Sequence, residues 1–147
     1  HLAVRRQRQM CIRDRDELLR RADVVTLHVP LTDETRHIID ADSLAHMRPE
    51  SYLVNTARGA AVDEEALAEA LSTGRLAGAA IDVFAQEPPD PAHPLQNAPN
   101  ALLTPHVAGL SDRALVRVAT EAAQGILDVL QGRRPLSPVN PEVFPPQ

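Results

Sequence analysis

From residue 16 onward, short apolar runs alternate with segments whose apolar residues recur every three to four positions. The short runs predict four β-strands over residues 24–29, 52–55, 78–83 and 101–104. The periodic segments predict helices over residues 16–22, 40–47, 64–73 and 112–131. Such alternation is typical of parallel strands joined by crossover helices. The chain is therefore predicted to be an α/β protein with a doubly wound parallel sheet of about four strands and flanking helices.

Two of the predicted helices have clear boundaries. Asp63 and Ser111 can each accept a hydrogen bond from a backbone N–H of the first turn, and Gly74 and Gly132 follow the last turns. The helix over 112–131 also carries an apolar stripe, which predicts core or interface packing and consists of Leu115, Val118, Ala119, Ala122, Ile126 and Val129.

Composition indicates a globular protein and excludes several functions. The 147 residues are 44% hydrophobic and 24% charged, which is close to the average for folded domains. One cysteine, Cys11, forms no internal disulfide and no zinc-ligand pair, so a reducing, cytoplasmic location and no metal are expected. No apolar run approaches the ~18 residues of a membrane span, so no membrane partner is expected.

Charge is distributed unevenly along the chain. Residues 1–15 hold five arginines and one aspartate, a net charge of +4. Because the whole chain has a net charge of −5, residues 16–147 carry −9. Nucleic acid is a poor partner for such an acidic body, and the basic stretch has no interleaved aromatic residues. Residues 1–15 are expected to be a disordered or artefactual stretch, separate from a domain over 16–147.

Polar side chains follow each predicted strand. His28 follows the first strand, Asn55–Gly59 the second, Asp82 and Glu87 the third, and His106 the fourth. In an open parallel sheet, ligands bind outside the carboxyl ends of the strands. The sequence therefore predicts a site at this edge.

The residue types at that edge indicate proton transfer on an anionic substrate. A carboxylate such as Glu87 beside the imidazole of His106 favours imidazolium and fixes its tautomer. Arg58 offers a planar fork of donors that suits a substrate carboxylate. These groups favour chemistry at the carbonyl or alcohol carbon of a 2-oxo or 2-hydroxy acid.

Oxidation or reduction of that carbon would need a nicotinamide, because no side chain accepts a hydride. The six glycines of the chain never form G-x-G-x-x-G. Either the chain uses no such cofactor, or its glycine turn belongs to an upstream βαβ unit that is absent here. An α/β hydrolase is a weaker alternative, because G-x-S-x-G is also lacking.

Four segments carry a family resemblance. They are DELLRRADVVTLHVPLTDETRHIID at 16–40, YLVNTARGAAVDEEALAEAL at 52–71, AAIDVFAQEPP at 79–89 and LLTPHVAG at 102–109. In this order they resemble the signatures of the D-isomer-specific 2-hydroxyacid dehydrogenases, over ~90% of the chain. The resemblance implies that residues 16–147 are the distal half of a Rossmann-like dinucleotide-binding domain, without its glycine-rich first unit and without the substrate domain.

The resemblance also implies roles for single residues. Arg58 would anchor the substrate, His106 would be the acid/base, and Glu87 its partner. Asp82 and the turn from His106 to Gly109 would hold the nicotinamide carboxamide. The remaining cofactor contacts would come from His28, Pro30, Thr35, Thr56 and Ala57. The other histidines, His1, His37, His46 and His93, are expected at the surface.

The function implied is an NAD(P)-dependent oxidoreductase that interconverts a 2-hydroxy acid and a 2-oxo acid, with NAD favoured over NADP. A homodimer is expected, because this domain forms the dimer contact in the resembled family. The isolated chain is expected to be weakly active or inactive, because the pyrophosphate turn and the lid domain are missing. The alternative is a non-catalytic nucleotide-binding or dimerisation module, or an inactive fragment.

Overall fold

A computed structural model describes residues 15–144 and divides the chain into two compact units, with the boundary in the sequence between Ala108 and Gly109. The single domain predicted over 16–147 stays a prediction. Most of the basic stretch lies outside the described residues, so its expected disorder stays a prediction.

Over residues 15–108, the first unit contains three α-helices, two 3₁₀ helices (Gly59–Ala61 and Pro94–Asn97) and a four-stranded sheet. Its elements, in chain order, are α1 (15–21), β1 (Val24–Leu27), α2 (Ala41–His46), β2 (Tyr52–Asn55), α3 (Glu64–Ser72), β3 (Gly78–Ile81) and β4 (Ala101–Leu103). All neighbouring strands are parallel, in the order β1-β2-β3-β4. The predicted α/β class with four parallel strands is confirmed.

The strands end at one level, because Leu27, Asn55, Ile81 and Leu103 are register partners across the sheet. Three of the strands are shorter than predicted, since the register pairs stop at this level. Those residues therefore emerge together at the carboxyl edge.

Aliphatic side chains form the core of this unit. Leu53 on β2 and Leu67 on α3 are completely buried, and Ile81 on β3 is 2% exposed. The Asp63 side chain caps α3 by accepting a hydrogen bond from Ala66 N at 3.0 Å, as the sequence predicted. Gly74 follows the helix in the left-handed region (φ +68°), which glycine adopts without steric cost.

The second unit consists mainly of the long helix α4 (Asp112–Leu130), followed by a 3₁₀ turn over Pro141–Val143. The Ser111 side chain caps α4, accepting from Ala114 N at 3.2 Å. No residue of α4 is buried, so its apolar stripe is not core packing within the described chain, and its role as an interface stays a prediction. None of the helices in residues 15–144 combines the length and the apolar character that crossing a membrane requires.

Candidate active site at the carboxyl edge of the sheet

An imidazole–carboxylate pair stands at the carboxyl edge. His106 Nδ1 lies 2.9 Å from Glu87 Oε2, and both side chains are partly exposed. The other oxygen of Glu87 accepts a hydrogen bond from Phe84 N at 3.0 Å. The hydrogen bond from His106, followed by the one from Phe84, holds the pKa of the Glu87 carboxyl below its ordinary value. The carboxylate form of Glu87, which orients the imidazole, is thereby favoured.

Asp82 fixes the backbone that carries this histidine. Its carboxylate is 4% exposed and accepts hydrogen bonds from the Thr104 hydroxyl, from Val107 N at 2.8 Å and from Ala108 N at 2.9 Å. Burial raises the pKa of Asp82, but these hydrogen bonds outweigh burial and the pKa lies below its ordinary value. Asp82 is therefore a charged anchor for the turn that follows β4.

His106 occupies a left-handed backbone conformation, with φ +56°. Such a conformation costs a non-glycine residue roughly 1–2 kcal/mol and persists where surrounding contacts impose it. The Asp82 backbone carbonyl accepts from His106 N at 2.8 Å, while its carboxylate binds the next two N–H groups. One buried residue thus imposes the conformation that turns the imidazole toward Glu87.

The loop after β2 presents Arg58. Asn55, which is 1% exposed, accepts a hydrogen bond from Ala57 N at 3.0 Å and donates one to the Arg58 carbonyl at 3.0 Å. The exposed Arg58 guanidinium donates to the Ala57 carbonyl at 2.7 Å and, within residues 15–144, forms no ion pair. Its remaining donors are therefore available to an anion.

Gly59 brings the Arg58 loop against the Glu87 loop. A Cβ atom added at Gly59 would lie 1.9 Å from the carbonyl carbon of Phe84 and 2.2 Å from Ala85 N. Only a residue without a side chain permits this approach of two backbones. This close approach of the two backbones explains why a glycine, Gly59, directly follows Arg58 in the sequence.

The three predicted catalytic residues line one cavity of about 250 Å³. Arg58, Glu87 and His106 share its wall with Leu31, Gly59, Ala60, Val83, Phe84 and Ala85. A neighbouring cavity of about 550 Å³ also includes Glu87 and His106 in its wall. The imidazole–carboxylate pair therefore stands between two cavities.

The predicted cofactor residues are more dispersed. The loop after β1 is organised by Thr35, whose hydroxyl donates to the Pro30 carbonyl at 2.6 Å. His28 Nε2 lies 3.0 Å from the Thr26 hydroxyl. Neither these residues nor Thr56 and Ala57 belong to the wall of the 250 Å³ cavity, although Leu31 from the same loop does. Gly109 begins the second unit, where its carbonyl accepts a hydrogen bond from Ser111 N at 3.2 Å.

Several residues that organise the site had no role assigned from the sequence, although Asn55 was expected at this edge. Asn55 and Thr104 act through hydrogen bonds of their side chains. An asparagine at the end of a strand can accept a hydrogen bond from the N–H two residues later, and this signal could have indicated the Asn55 turn. His93 was expected at the surface, which is wrong: its side chain is 17% exposed and is paired with Glu64. Among residues 15–144, no cluster of three histidine, cysteine or acidic side chains could hold a metal ion.

These features define a Rossmann-like α/β domain with an imidazole–carboxylate pair and an exposed arginine at the carboxyl edge of its sheet. The family model described as "D-isomer specific 2-hydroxyacid dehydrogenase, NAD binding domain" matches residues 3–108. The chain belongs to this family. The match ends where the first compact unit ends, and it begins inside the stretch 1–15, so the boundary predicted after residue 15 stays a prediction.

Curated relatives are longer than this chain. It is 49% identical over 131 residues to a glyoxylate reductase of Thermofilum pendens, covering 89% of this chain and 39% of the relative. It is 45% identical over 127 residues to a D-3-phosphoglycerate dehydrogenase of Synechocystis, covering 86% of this chain and 23% of the relative. The chain thus spans less than half the length of these relatives.

Solved structures share the fold. The TT0316 protein of Thermus thermophilus has a TM-score of 0.81 at 48% identity, over 85% of this chain and 40% of that one. The NAD-complexed D-isomer specific 2-hydroxyacid dehydrogenase of Lactobacillus delbrueckii has a TM-score of 0.77 at 34% identity, over 85% and 42%.

Proposed function

We propose that this chain is part of an NAD-dependent oxidoreductase that interconverts a 2-hydroxy acid and a 2-oxo acid. The observation that carries the proposal is the single cavity whose wall contains the Arg58 guanidinium, the His106 imidazole and the Glu87 carboxylate. These groups supply an anion receptor, a proton donor and a charge partner for that donor. Family membership supports the same chemistry.

His106 is the acid/base in this proposal. When its Nδ1–H is donated to Glu87, Nε2 is left to exchange a proton with the oxygen on C2 of the substrate. Glu87 stabilises the imidazolium and fixes the ring orientation. General acid/base catalysis of this kind contributes roughly 10²–10⁴-fold to a rate.

Arg58 binds the substrate carboxylate. Its guanidinium has free donors in a planar arrangement that matches a carboxylate in bidentate fashion. The Asn55 hydrogen bonds hold the backbone on both sides of Ala57 and so orient the arginine. A small 2-oxo acid held by Arg58 would then have its reacting carbon in the same cavity as His106.

The residues beside the cavity fit a nicotinamide. Asp82 Oδ1 accepts two hydrogen bonds, whereas Oδ2 accepts one, from Ala108 N, and so has capacity for a further donor such as a carboxamide N–H. Leu31 and Val83 form an apolar part of the cavity wall, against which a nicotinamide ring would pack. A bound nicotinamide would accept or donate the hydride at C2 of the substrate, which no side chain can do.

Cofactor binding and turnover are measured separately in the test. The 147-residue chain is titrated with NADH by fluorescence, and NADH consumption is then followed at saturating glyoxylate or hydroxypyruvate. We expect NADH binding and slow, substrate-dependent oxidation that falls about 100-fold or more in His106→Asn. Asparagine is chosen because it tolerates positive φ better than most residues.

The outcomes discriminate between functions. Binding without turnover would favour the non-catalytic nucleotide-binding module over the enzyme. Unchanged turnover in His106→Asn would refute the role of His106, and absence of both NADH binding and turnover would favour the inactive fragment. Homodimer formation and a cytoplasmic location are further parts of the proposal, and sedimentation velocity measures the first.

A further inference from the structure

A second imidazole–carboxylate pair lies close to the site but outside both cavities at the edge. His93 Nε2 is 3.2 Å from Glu64 Oε2, and the two side chains are 17% and 12% exposed. His93 Nδ1 accepts a hydrogen bond from Leu95 N at 3.3 Å, so Nε2 carries the hydrogen and donates it to Glu64. The tautomer of this pair is thus fixed by the backbone.

Glu64 connects this pair to the catalytic loop. Its other carboxylate oxygen accepts a hydrogen bond from Ala85 N at 2.8 Å, 21 residues away in the chain. The ring of His93 meets the ring of Phe84 edge-to-face, with centroids 5.6 Å apart. Both members of the pair therefore contact the two-residue segment Phe84–Ala85.

That segment controls the position of Glu87. Phe84 N donates to Glu87 Oε1, while Glu87 Oε2 meets His106. Because Glu87 is partly exposed and bonded at both oxygens, a displacement of the Phe84 N–H changes the direction of its carboxylate. The backbone of the same segment also touches Gly59, beside Arg58.

We propose that Glu64 and His93 are positioning residues, which hold the Phe84–Glu87 turn so that the Glu87 carboxylate meets His106 Nδ1. The catalytic consequence rests on the function proposed above, but the positioning itself is a property of the folded chain. A carboxylate at position 64 serves two donors at once, Ala85 N–H and His93 Nε2–H. A residue that merely stabilised the start of α3 would need neither contact.

Glu65 provides a matched control. It lies in the same first turn of α3 as Glu64 and is exposed. Removing its carboxylate changes net charge and the helix terminus as much as Glu64→Ala does. His93→Asn is the second variant, because asparagine is a good N-cap for the turn over Pro94–Asn97 while it removes the donor to Glu64.

The measurement is the titration of Glu87 by carboxyl ¹³C NMR in the full chain; Asp82 is followed in the same spectra and the His106 imidazole by ¹H–¹⁵N NMR, because both act on Glu87. We expect the pKa of Glu87 to rise in Glu64→Ala. His106→Asn is the reference variant, because it removes the imidazole that lowers the pKa of Glu87 and should therefore raise that pKa. A smaller rise is expected in His93→Asn and no change in Glu65→Ala. Amide exchange at Ala85 should accelerate about tenfold in Glu64→Ala.

The titration needs neither cofactor nor turnover, so its outcome is independent of the proposed function. A dispersed spectrum and native Tyr52 fluorescence show that each variant is folded. If Glu64→Ala does not fold, Glu64→Gln and His93→Asn carry the test, and a raised Glu87 pKa in them supports the proposal. An unchanged Glu87 titration in folded Glu64 and His93 variants would overturn it.

Discussion

Asp82→Asn isolates the charge that organises the histidine turn. In the variant, one carbonyl oxygen still accepts from Thr104 and Val107 N, but an amide N–H₂ replaces the acceptor of Ala108 N–H. Hydrogen bonds to charged groups contribute roughly 1.5–3 kcal/mol, and a buried donor left unpaired costs a similar amount. Because the turn is partly open to water, we expect a loss of about 2–3 kcal/mol in the free energy of unfolding.

The loss should depend on pH in a defined direction. Since the pKa of Asp82 is lower in the folded chain than in the unfolded chain, its contribution to stability is present above about pH 4 and disappears as pH falls through the folded pKa. The difference in stability between the wild type and Asp82→Asn should therefore shrink below about pH 4.

Urea unfolding followed by the fluorescence of Tyr52 is the appropriate assay. Tyr52 is the only tyrosine, the chain has no tryptophan, and the residue lies on β2 of the first unit. Asp42→Asn, an exposed aspartate in the first turn of α2, is the control and should cost under about 1 kcal/mol. A cost for Asp82→Asn no larger than that of the control, or one independent of pH, would refute the reasoning.

Two further predictions use the same assay. Gly59→Ala should destabilise the first unit by about 3 kcal/mol or more, because its Cβ would overlap the Phe84 backbone, whereas Gly74→Ala, which has open space but positive φ, should cost about 1 kcal/mol. Equal costs would contradict the close approach at Gly59. Asn55→Ala removes the two side-chain hydrogen bonds to the Arg58 loop and should lower the free energy of unfolding by about 2–4 kcal/mol, with slower NADH-dependent turnover. An unchanged free energy of unfolding would contradict the role of Asn55 in holding that loop.

The pattern of apolar and polar residues, together with the capping residues, predicted the four strands and the helix boundaries well. The strands are short apolar runs and α2, α3 and α4 carry side-chain caps, and both signals are local in sequence. The predicted strands ran one or two residues too far at Asp82 and Thr104. Asp82 N and Thr104 N still donate to the carbonyls of Asn55 and Ile81 at 3.0 Å, but the register pairs stop one residue earlier, at a level that depends on pairing between strands.

The histidines show the limit of reasoning from residue type. His106 was identified because a family motif surrounds it, whereas His93, in a proline-rich loop, looked like a surface residue. Its burial results from contacts with Glu64 and Phe84, which lie 29 and 9 positions away in the chain. No local pattern encodes such contacts.

The sequence by itself determined the class of fold, the order of the elements, and Arg58, Asp82, Glu87 and His106 as candidates at one edge. It could do so because periodicity, caps and the rule for parallel sheets act over short distances. Only the tertiary structure decided that Asp82 holds His106 in a left-handed turn, that Gly59 packs on Phe84, and that the imidazole meets Glu87 at 2.9 Å. These contacts join separate loops, and hydrogen-bond geometry and excluded volume fix them only after the chain has folded.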